Sequence, residues 1–182
     1  MTNHQKVLSF MAKFSDKEFY EREIARKTDI SYGSANKVMN DLYSAHWLIR
    51  QQKGKMFFYQ FNLENSLVRQ FKILNTMALL RPLILNLRKL TTRIILFGSC
   101  ATGEDTSESD IDIFIVSEQK QKTLRVLEQT NLGRGFEAIQ IQPIIFSHDE
   151  VLDSEKNDKE FLSLVREGII LWDKTLEGSG FY

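Results

Sequence analysis

The chain has 182 residues, of which 42% are hydrophobic and 26% charged, and no apolar run approaches the roughly 20 residues that cross a bilayer. A single cysteine excludes an internal disulfide, and three scattered histidines with one cysteine do not make a zinc site, so we expect a cytoplasmic protein with no membrane partner. The net charge is zero, but residues 1–92 carry 15 Lys/Arg against 7 Asp/Glu while residues 93–182 carry 9 against 17, which favours two modules with different partners over a chance drift of surface charge.

Three short helices are predicted at the start of the chain. Apolar residues recur at helical spacing over about residues 4–14, and "FYEREIARKT" predicts a second helix. A tight turn over residues 28–31 then leads to a third helix, for which Ser31 can provide the N-terminal cap. The inner face of the third helix is predicted to be Ala35, Val38, Met39 and Leu42.

The next stretch, "WLIRQQKGKMFFYQFN", is predicted to form two strands joined by a turn at Lys53-Gly54-Lys55. Three helices followed by such a hairpin resemble the winged helix-turn-helix family, over about residues 4–62. In that family the third helix enters the DNA major groove and the hairpin, called the wing, touches the backbone or minor groove. The resemblance therefore implies double-stranded DNA as a partner; the alternatives are a helical domain with solvated polar faces and a winged helix that binds protein.

The candidate DNA-binding residues are polar positions that the predicted core does not use. On the third helix their donors and acceptors can reach base edges or phosphates, and on the wing two lysines can contact phosphate. They are Tyr32, Ser34, Asn36, Lys37, Asn40, Lys53 and Lys55.

Residues 63–92 are predicted to be a helical connector. An apolar stripe at helical spacing is formed by Leu63, Leu67, Phe71, Leu74 and Ala78. Pro82 is expected to interrupt this helix or to start the next one. Such a stripe usually packs on its own chain, and a homodimer interface is the alternative.

The stretch "RIILFGSCATGEDTSESDIDIFIV" predicts a strand, a Gly-Ser turn, a polar loop and a second strand. Strand alternation places Asp110 and Asp112 on one face of the second strand. Two carboxylates on one face are costly to bury, and a divalent metal would offset that cost; the alternative is that both face water. Backbone N–H groups at Gly98 and the Ser99 hydroxyl can hold phosphate oxygens, which suits Mg²⁺ with a nucleoside triphosphate.

This pattern resembles the minimal nucleotidyltransferases of the DNA polymerase beta superfamily. The match consists of Gly98, Ser99, Ala101 and Gly103, followed by Ser109, Asp110 and Asp112. The resemblance implies that Gly98, Ser99, Gly103 and Ser109 bind the nucleotide. It further implies that Asp110 and Asp112 are the catalytic, metal-binding residues, with Mg²⁺ or Mn²⁺ as cofactor and an NTP, ATP first, as substrate.

The sequence departs from the family pattern at two places. Many relatives have arginines around the alanine of the turn, where this chain has Cys100 and Thr102. The family also uses a third acid from a neighbouring strand, and the position that aligns with it in "FEAIQIQPIIFS" is Gln142. An amide can coordinate a metal but is a poor base, and the nearby Glu137 has the wrong strand parity unless a bulge intervenes.

We therefore predict an α/β (α+β) protein with a winged helix over residues 1–62, a helical connector over 63–92 and a nucleotidyltransferase domain with a small mixed sheet over 93–182. The predicted function is Mg-dependent transfer of a nucleotidyl group from an NTP to an unknown acceptor by a DNA-binding protein. A protein acceptor fits the resemblance, since some minimal nucleotidyltransferases modify a partner toxin. The alternative is a DNA-binding transcriptional regulator whose impaired transferase domain only binds nucleotide or a partner protein.

Overall fold

The computed structural model describes residues 1–130 and 140–176, and the chain divides into two compact units. The N-terminal unit comprises Met1–Asn75 together with Gly103–Glu108, and the C-terminal unit comprises Thr76–Thr102 together with the chain from Ser109 onward. No helix in the described ranges is long and apolar enough to cross a membrane.

The N-terminal unit contains the three predicted helices and the predicted hairpin. The helices are α1 (Asn3–Lys13), α2 (Glu21–Thr28) and α3 (Tyr32–Ser44), and the antiparallel strands are β1 (Leu48–Lys53) and β2 (Met56–Phe61). This element order is like that of a winged helix-turn-helix. The predicted inner face of α3 is confirmed, since all four of its residues are buried.

Local signals in the sequence explain how these helices begin and end. Asp29 adopts the left-handed conformation (φ 52°) that ends α2. The hydroxyl oxygen of Ser31 accepts a hydrogen bond from the backbone N–H of Ser34 at 3.2 Å, which confirms the predicted cap of α3. Gly54 lies at the hairpin turn with φ 62°, a value that glycine adopts without strain.

One 22-residue helix, α4 (Ser66–Leu87), follows the hairpin, and Pro82 lies inside it, so the predicted interruption is wrong. The missing proline N–H costs about 3 kcal/mol in a helix interior. Its neighbours Leu80, Leu83 and Leu87 are fully buried, and each buried leucine contributes about 1.5–3 kcal/mol, which outweighs that cost.

The predicted apolar stripe of the connector is also partly wrong. Leu67 and Leu74 are both 61% exposed, whereas Val68 and Ile73 of the same helix are buried. Apolar residues occur on all sides of this helix, so spacing alone could not identify the face that packs inward.

In the described part of the chain, the C-terminal unit has four strands, β3 (Arg93–Phe97), β4 (Ile111–Val116), β5 (Ile141–Phe146) and β6 (Ile169–Asp173). They form one mixed sheet in the order β5-β4-β3-β6, in which β3 is antiparallel to β4 and β6 while β4 and β5 are parallel. The helices that follow α4 are α5 (Ser99–Thr102), α6 (Lys120–Gln129), α7 (His148–Asn157) and α8 (Lys159–Arg166), with a 3₁₀ turn at Lys174–Leu176.

Both faces of this sheet are covered. Ile111, Ile113 and Ile115 of β4 pack in a cluster with buried residues of α4, as the strand alternation predicts for the core face. On the opposite face Phe114 packs with Leu162 of α8 and its neighbours. Only the start of β4 therefore carries polar side chains, and this end of the sheet holds the candidate site.

Candidate active site

The candidate site lies where β3 ends and where β4 and β5 begin. In the sheet register Asp112 is paired with Phe97, the last residue of β3, on one side and with Gln142 of β5 on the other. Gly98 and the short helix α5 follow Phe97 directly. The register thus brings the Gly-Ser turn, the aspartates and Gln142 to one end of the sheet, although Asp112 and Gln142 are 30 positions apart in the chain.

Gly98 is required at the turn for two physical reasons. Its φ is 69°, in the left-handed region where a side chain is strained. A Cβ at this position would also lie 2.6 Å from Oδ2 of Asp112, closer than van der Waals contact allows. The turn is completed by the N–H of Ala101, which donates to the carbonyl oxygen of Gly98 at 3.0 Å. Glycine therefore allows the Asp112 carboxylate to lie against the turn.

We expect Gly98→Ala to displace the Asp112 carboxylate and to cost about 1–2 kcal/mol in stability, because alanine is strained in the left-handed region. Affinity for Mg-ATP should fall with it. The matched control is Gly33→Ala on α3, where an added Cβ meets nothing within 4 Å. Thermal unfolding and titration calorimetry measure both effects, and unchanged Mg-ATP affinity in Gly98→Ala would contradict this role of the turn.

The two aspartates concentrate negative charge at a partly buried position. Burial, and then the negative charge of Asp110, raise the pKa of Asp112 above its usual value. Both side chains are only half-buried, so a cation can reach them from solvent. Carboxylate oxygens next to each other, with charge that is costly in the absence of a cation, fit Mg²⁺ or Mn²⁺.

Gln142 lies beside the aspartates. Its Nε2 donates a hydrogen bond to Oδ2 of Asp110 at 3.2 Å. Among the described residues no group of three or more His, Cys, Asp or Glu side chains could hold a metal, so the donor set here is two carboxylates and one amide. Glu137 lies outside the described residues.

The chain is similar to a known family over part of its length. Residues 80–168 match the model of the nucleotidyltransferase domain. The match includes the turn, both aspartates and Gln142, and it does not include the N-terminal helices and hairpin. This family typically uses a divalent metal and an NTP. No curated protein and no solved structure matches the chain.

The remaining predicted nucleotide-binding residues are Ser99, Ser109 and Gly103. Ser99 is the first residue of α5 and Ser109 directly precedes Asp110, and both are half-buried. Gly103 belongs by its contacts to the N-terminal unit; its φ is 74°, and a Cβ there would lie 2.6 Å from the carbonyl oxygen of Arg69. Backbone packing thus accounts for a glycine at position 103 without any ligand.

Cys100 connects the turn to the aspartate segment in a way that sequence reasoning missed. The side chain is buried, and its Sγ donates to the backbone carbonyl oxygen of Asp110 at 3.5 Å. Many members of the family that this chain resembles have an arginine at this position. The cysteine lacks that positive charge and makes a packed contact instead. Burial of Cys100 agrees with its residue type, whereas its contact with Asp110, ten positions away, follows from no local pattern.

The candidate DNA-binding residues all lie in the N-terminal unit, and part of them meet in one cleft of about 560 Å³. Tyr32 and Asn36, one turn apart on α3, line this cleft together with Lys55 of the hairpin turn. Tyr32 is 52% exposed, and Lys37, five residues further along α3, is also exposed.

Three other predicted residues of this surface already have partners within the unit. Asn40 Nδ2 donates to the carbonyl oxygen of Asn36 at 2.9 Å, Ser34 shares a hydrogen bond with Ser31, and Lys53 forms an ion pair with Glu18. Two arginines were missed. Arg22 also lines the cleft with its guanidinium 5.8 Å from the Tyr32 ring centroid, and Arg50 lies 4.2 Å from that of Tyr43.

Proposed function

We propose that the nucleotidyltransferase domain transfers a nucleotidyl group from an NTP, with ATP as the first candidate, to an acceptor that we take to be a macromolecule. The observation that carries this proposal is the position of Asp112, which the register places against the end of β3 and beside Gln142, with Asp110 hydrogen-bonded to Gln142. A glycine turn beside paired carboxylates supports binding of a phosphate chain together with a divalent cation.

Each residue then has a role. Asp110 and Asp112 would hold Mg²⁺, which supplies neutralisation of the triphosphate and a lower pKa for the acceptor hydroxyl. The Ser99 hydroxyl and the backbone of the turn would contact phosphate oxygens, and Gly98 leaves room for the Asp112 carboxylate. Transfer joins the acceptor oxygen to the α-phosphorus and releases pyrophosphate, and the acceptor hydroxyl loses its proton to solvent water. Gln142 cannot take that proton, because an amide is a poor base.

The test is to incubate the full chain with cell extract and labelled nucleotides, with Mg²⁺ or with EDTA. Label at the α-phosphate should appear on a macromolecule in Mg²⁺ only, and label at the γ-phosphate should not. Transfer of γ-label would indicate a kinase instead, and no label from any of the four nucleotides would refute the proposal.

A second candidate function is favoured by one observation. Gln142, at the place of the third acid, uses its amide to bind Asp110. We propose as the alternative that the domain binds nucleotide without transfer and acts as the sensing part of a regulator. Calorimetry that shows Mg-dependent ATP binding, combined with no transfer in the labelling experiment, would select this alternative.

For the N-terminal unit we propose binding to double-stranded DNA. The cleft lined by Tyr32, Asn36 and Lys55 supports it, as does a modest excess of positive charge in residues 1–62, which carry 10 Lys/Arg against 6 Asp/Glu. An exposed lysine such as Lys37 is suited to phosphate, and an asparagine can form two hydrogen bonds with adenine.

We expect Lys37→Ala to weaken binding to every DNA sequence and to reduce the slope of log affinity against log salt by about 1, because one phosphate contact is lost. Asn36→Ala should instead change the sequence preference. Gel-shift titrations against a random-sequence pool measure both, with Lys156→Ala on α7 as the control. A folded protein that gives no shift at low salt would contradict the proposal.

A further inference from the structure

The loop Gly103–Glu108 connects the phosphate-binding turn to the metal-binding aspartates, yet its contacts place it in the N-terminal unit. It begins after Thr102, the last residue of α5, and ends at the residue before Ser109. Three separate attachments hold these six residues to α4 and to the chain that follows α1. None of them was predicted from the sequence.

The first attachment is a buried lysine. Lys72 of α4 is 1% exposed, and its Nζ donates to Oγ of Ser15 at 2.8 Å and to the backbone carbonyl oxygen of Asp105. The same Nζ lies 3.3 Å from Oδ1 of Asp105, an ion-pair distance without hydrogen-bond geometry. Ser15, also fully buried, donates to the Asp105 carbonyl oxygen at 3.1 Å.

The second attachment is at Ser107. The Asp16 carboxylate accepts its backbone N–H at 2.8 Å and its hydroxyl at 3.0 Å. Burial alone would raise the pKa of Asp16, but these hydrogen bonds outweigh it and the pKa is lowered. The third attachment is the close packing of Gly103 against the Arg69 backbone.

These contacts make release of the loop costly. A buried ammonium group needs acceptors, and two of the three acceptor atoms around Lys72 belong to Asp105 of the loop. If the loop left, Lys72 would keep only the Ser15 hydroxyl. Because Ser107 is three residues before Asp110, and Gly103 follows α5 directly, fixing the loop restricts the chain on both sides of it.

We propose that Lys72 and Asp16 are positioning residues for nucleotidyl transfer: by holding Gly103–Glu108 they restrict the motion of the two chain segments that join this loop, the turn at Gly98-Ser99 and the aspartate segment. This inference rests on the proposed function of the domain. It differs from a purely stabilising role, because it requires that loosening the loop change amide exchange and nucleotide affinity at the site and not only the unfolding temperature.

The test compares loop-releasing variants with a matched control in the full chain. Asp16→Asn and Ser107→Ala remove contacts at the surface and keep the fold, and Lys72→Met removes the buried charge while Lys72→Arg retains it. The control, Glu155→Gln, breaks the exposed ion pair of Glu155 with Arg166, which is 2.7 Å long.

Amide hydrogen exchange of the nucleotide-free protein is the first measurement. The N–H groups of Ala101 and Ile111, which donate to the carbonyl oxygens of Gly98 and Gln140, report on the site on either side of the loop. In Asp16→Asn and Ser107→Ala both should exchange about tenfold faster than in the parent, with no change in the control. If the loop amides exchange faster while the exchange rates of the Ala101 and Ile111 amides stay the same, the inference is overturned, whether or not the domain is an enzyme.

Calorimetry with Mg-ATP is the second measurement. The affinity for Mg-ATP should fall about 5- to 10-fold in Asp16→Asn and further in Lys72→Met. Lys72→Arg, which keeps the buried charge, should bind Mg-ATP more tightly than Lys72→Met. A parent that does not bind Mg-ATP refutes the proposed function, and the exchange result then decides the inference. If the parent binds Mg-ATP and both Asp16→Asn and Ser107→Ala bind it equally tightly, the inference is overturned while the proposed function stands.

Discussion

Replacing both Asp110 and Asp112 by asparagine should abolish the effect of Mg²⁺ on nucleotide affinity and reduce transfer by about 10³-fold or more, since a catalytic metal ion contributes several kcal/mol. The exchange keeps the side-chain size and removes two negative charges, so the cation loses its anionic oxygen ligands. Calorimetry with ATP in Mg²⁺ and in EDTA measures the first effect, and α-labelled ATP measures the second.

Stability without metal gives this double variant a distinguishing property. Because the pKa of Asp112 is raised in the folded protein, its deprotonation as the pH rises through that value weakens the folded state when no cation is present. The double variant should therefore be at least as stable as the parent in EDTA at neutral pH. Asp149→Asn with Asp153→Asn, two exposed acids of α7, is the control for the change in charge. A double variant of Asp110 and Asp112 that binds Mg-ATP as tightly as the parent would show that the metal site has been assigned to the wrong residues.

Gln142→Glu should raise the affinity for Mg²⁺ or Mn²⁺ and increase transfer by about 10²- to 10⁴-fold, the usual contribution of a general base. Glutamate has the length of glutamine, so its carboxylate would reach the position where Nε2 now lies 3.2 Å from Asp110. That position would then hold a third carboxylate, able to accept the proton of the acceptor hydroxyl.

The same substitution should lower stability in EDTA, because a hydrogen bond to Asp110 is replaced by repulsion between like charges. Gln142→Asp, which is one methylene shorter, tests the reach of the side chain. Gln140→Glu is the control one strand repeat away, where the backbone carbonyl oxygen still pairs with Ile111. A gain at position 140 and none at 142 would shift the assignment by two residues. A parent that transfers briskly and slows in Gln142→Glu would contradict the view that the site lacks its base.

Sequence patterns predicted an element correctly where only one of its faces is apolar or where a single motif determines its geometry. In α3 the four buried positions follow from helical spacing, because the other positions are polar. The aspartate strand follows from its alternation, and the position of Gln142 beside Asp112 in the register agrees with the alternation of β5. The family resemblance, rather than spacing, supplied the roles of these residues.

Sequence reasoning failed where the decisive contacts are distant in the chain or where local signals disagree. On α4 apolar residues surround the helix, so the buried face had to be set by tertiary packing, and the same packing keeps Pro82 inside the helix. Asp16 and Ser107 are 91 positions apart in the chain. Lysine usually lies at the surface, so nothing in the sequence indicates that Lys72 is buried. No periodicity connects such residues, because a hydrogen bond between two loops leaves no pattern in either.

In the described sheet, β5 lies at one edge, while the strands that carry the turn and the aspartates are central. A change at the start of an edge strand disturbs fewer neighbours than a change in the centre, and Pro143 beside Gln142 is itself a residue that sheets accept at an edge. A glutamine codon becomes a glutamate codon through one base substitution. Under the proposed function, residue 142 is thus a place where one mutational step can add or remove a general base while the two aspartates and the turn stay unchanged.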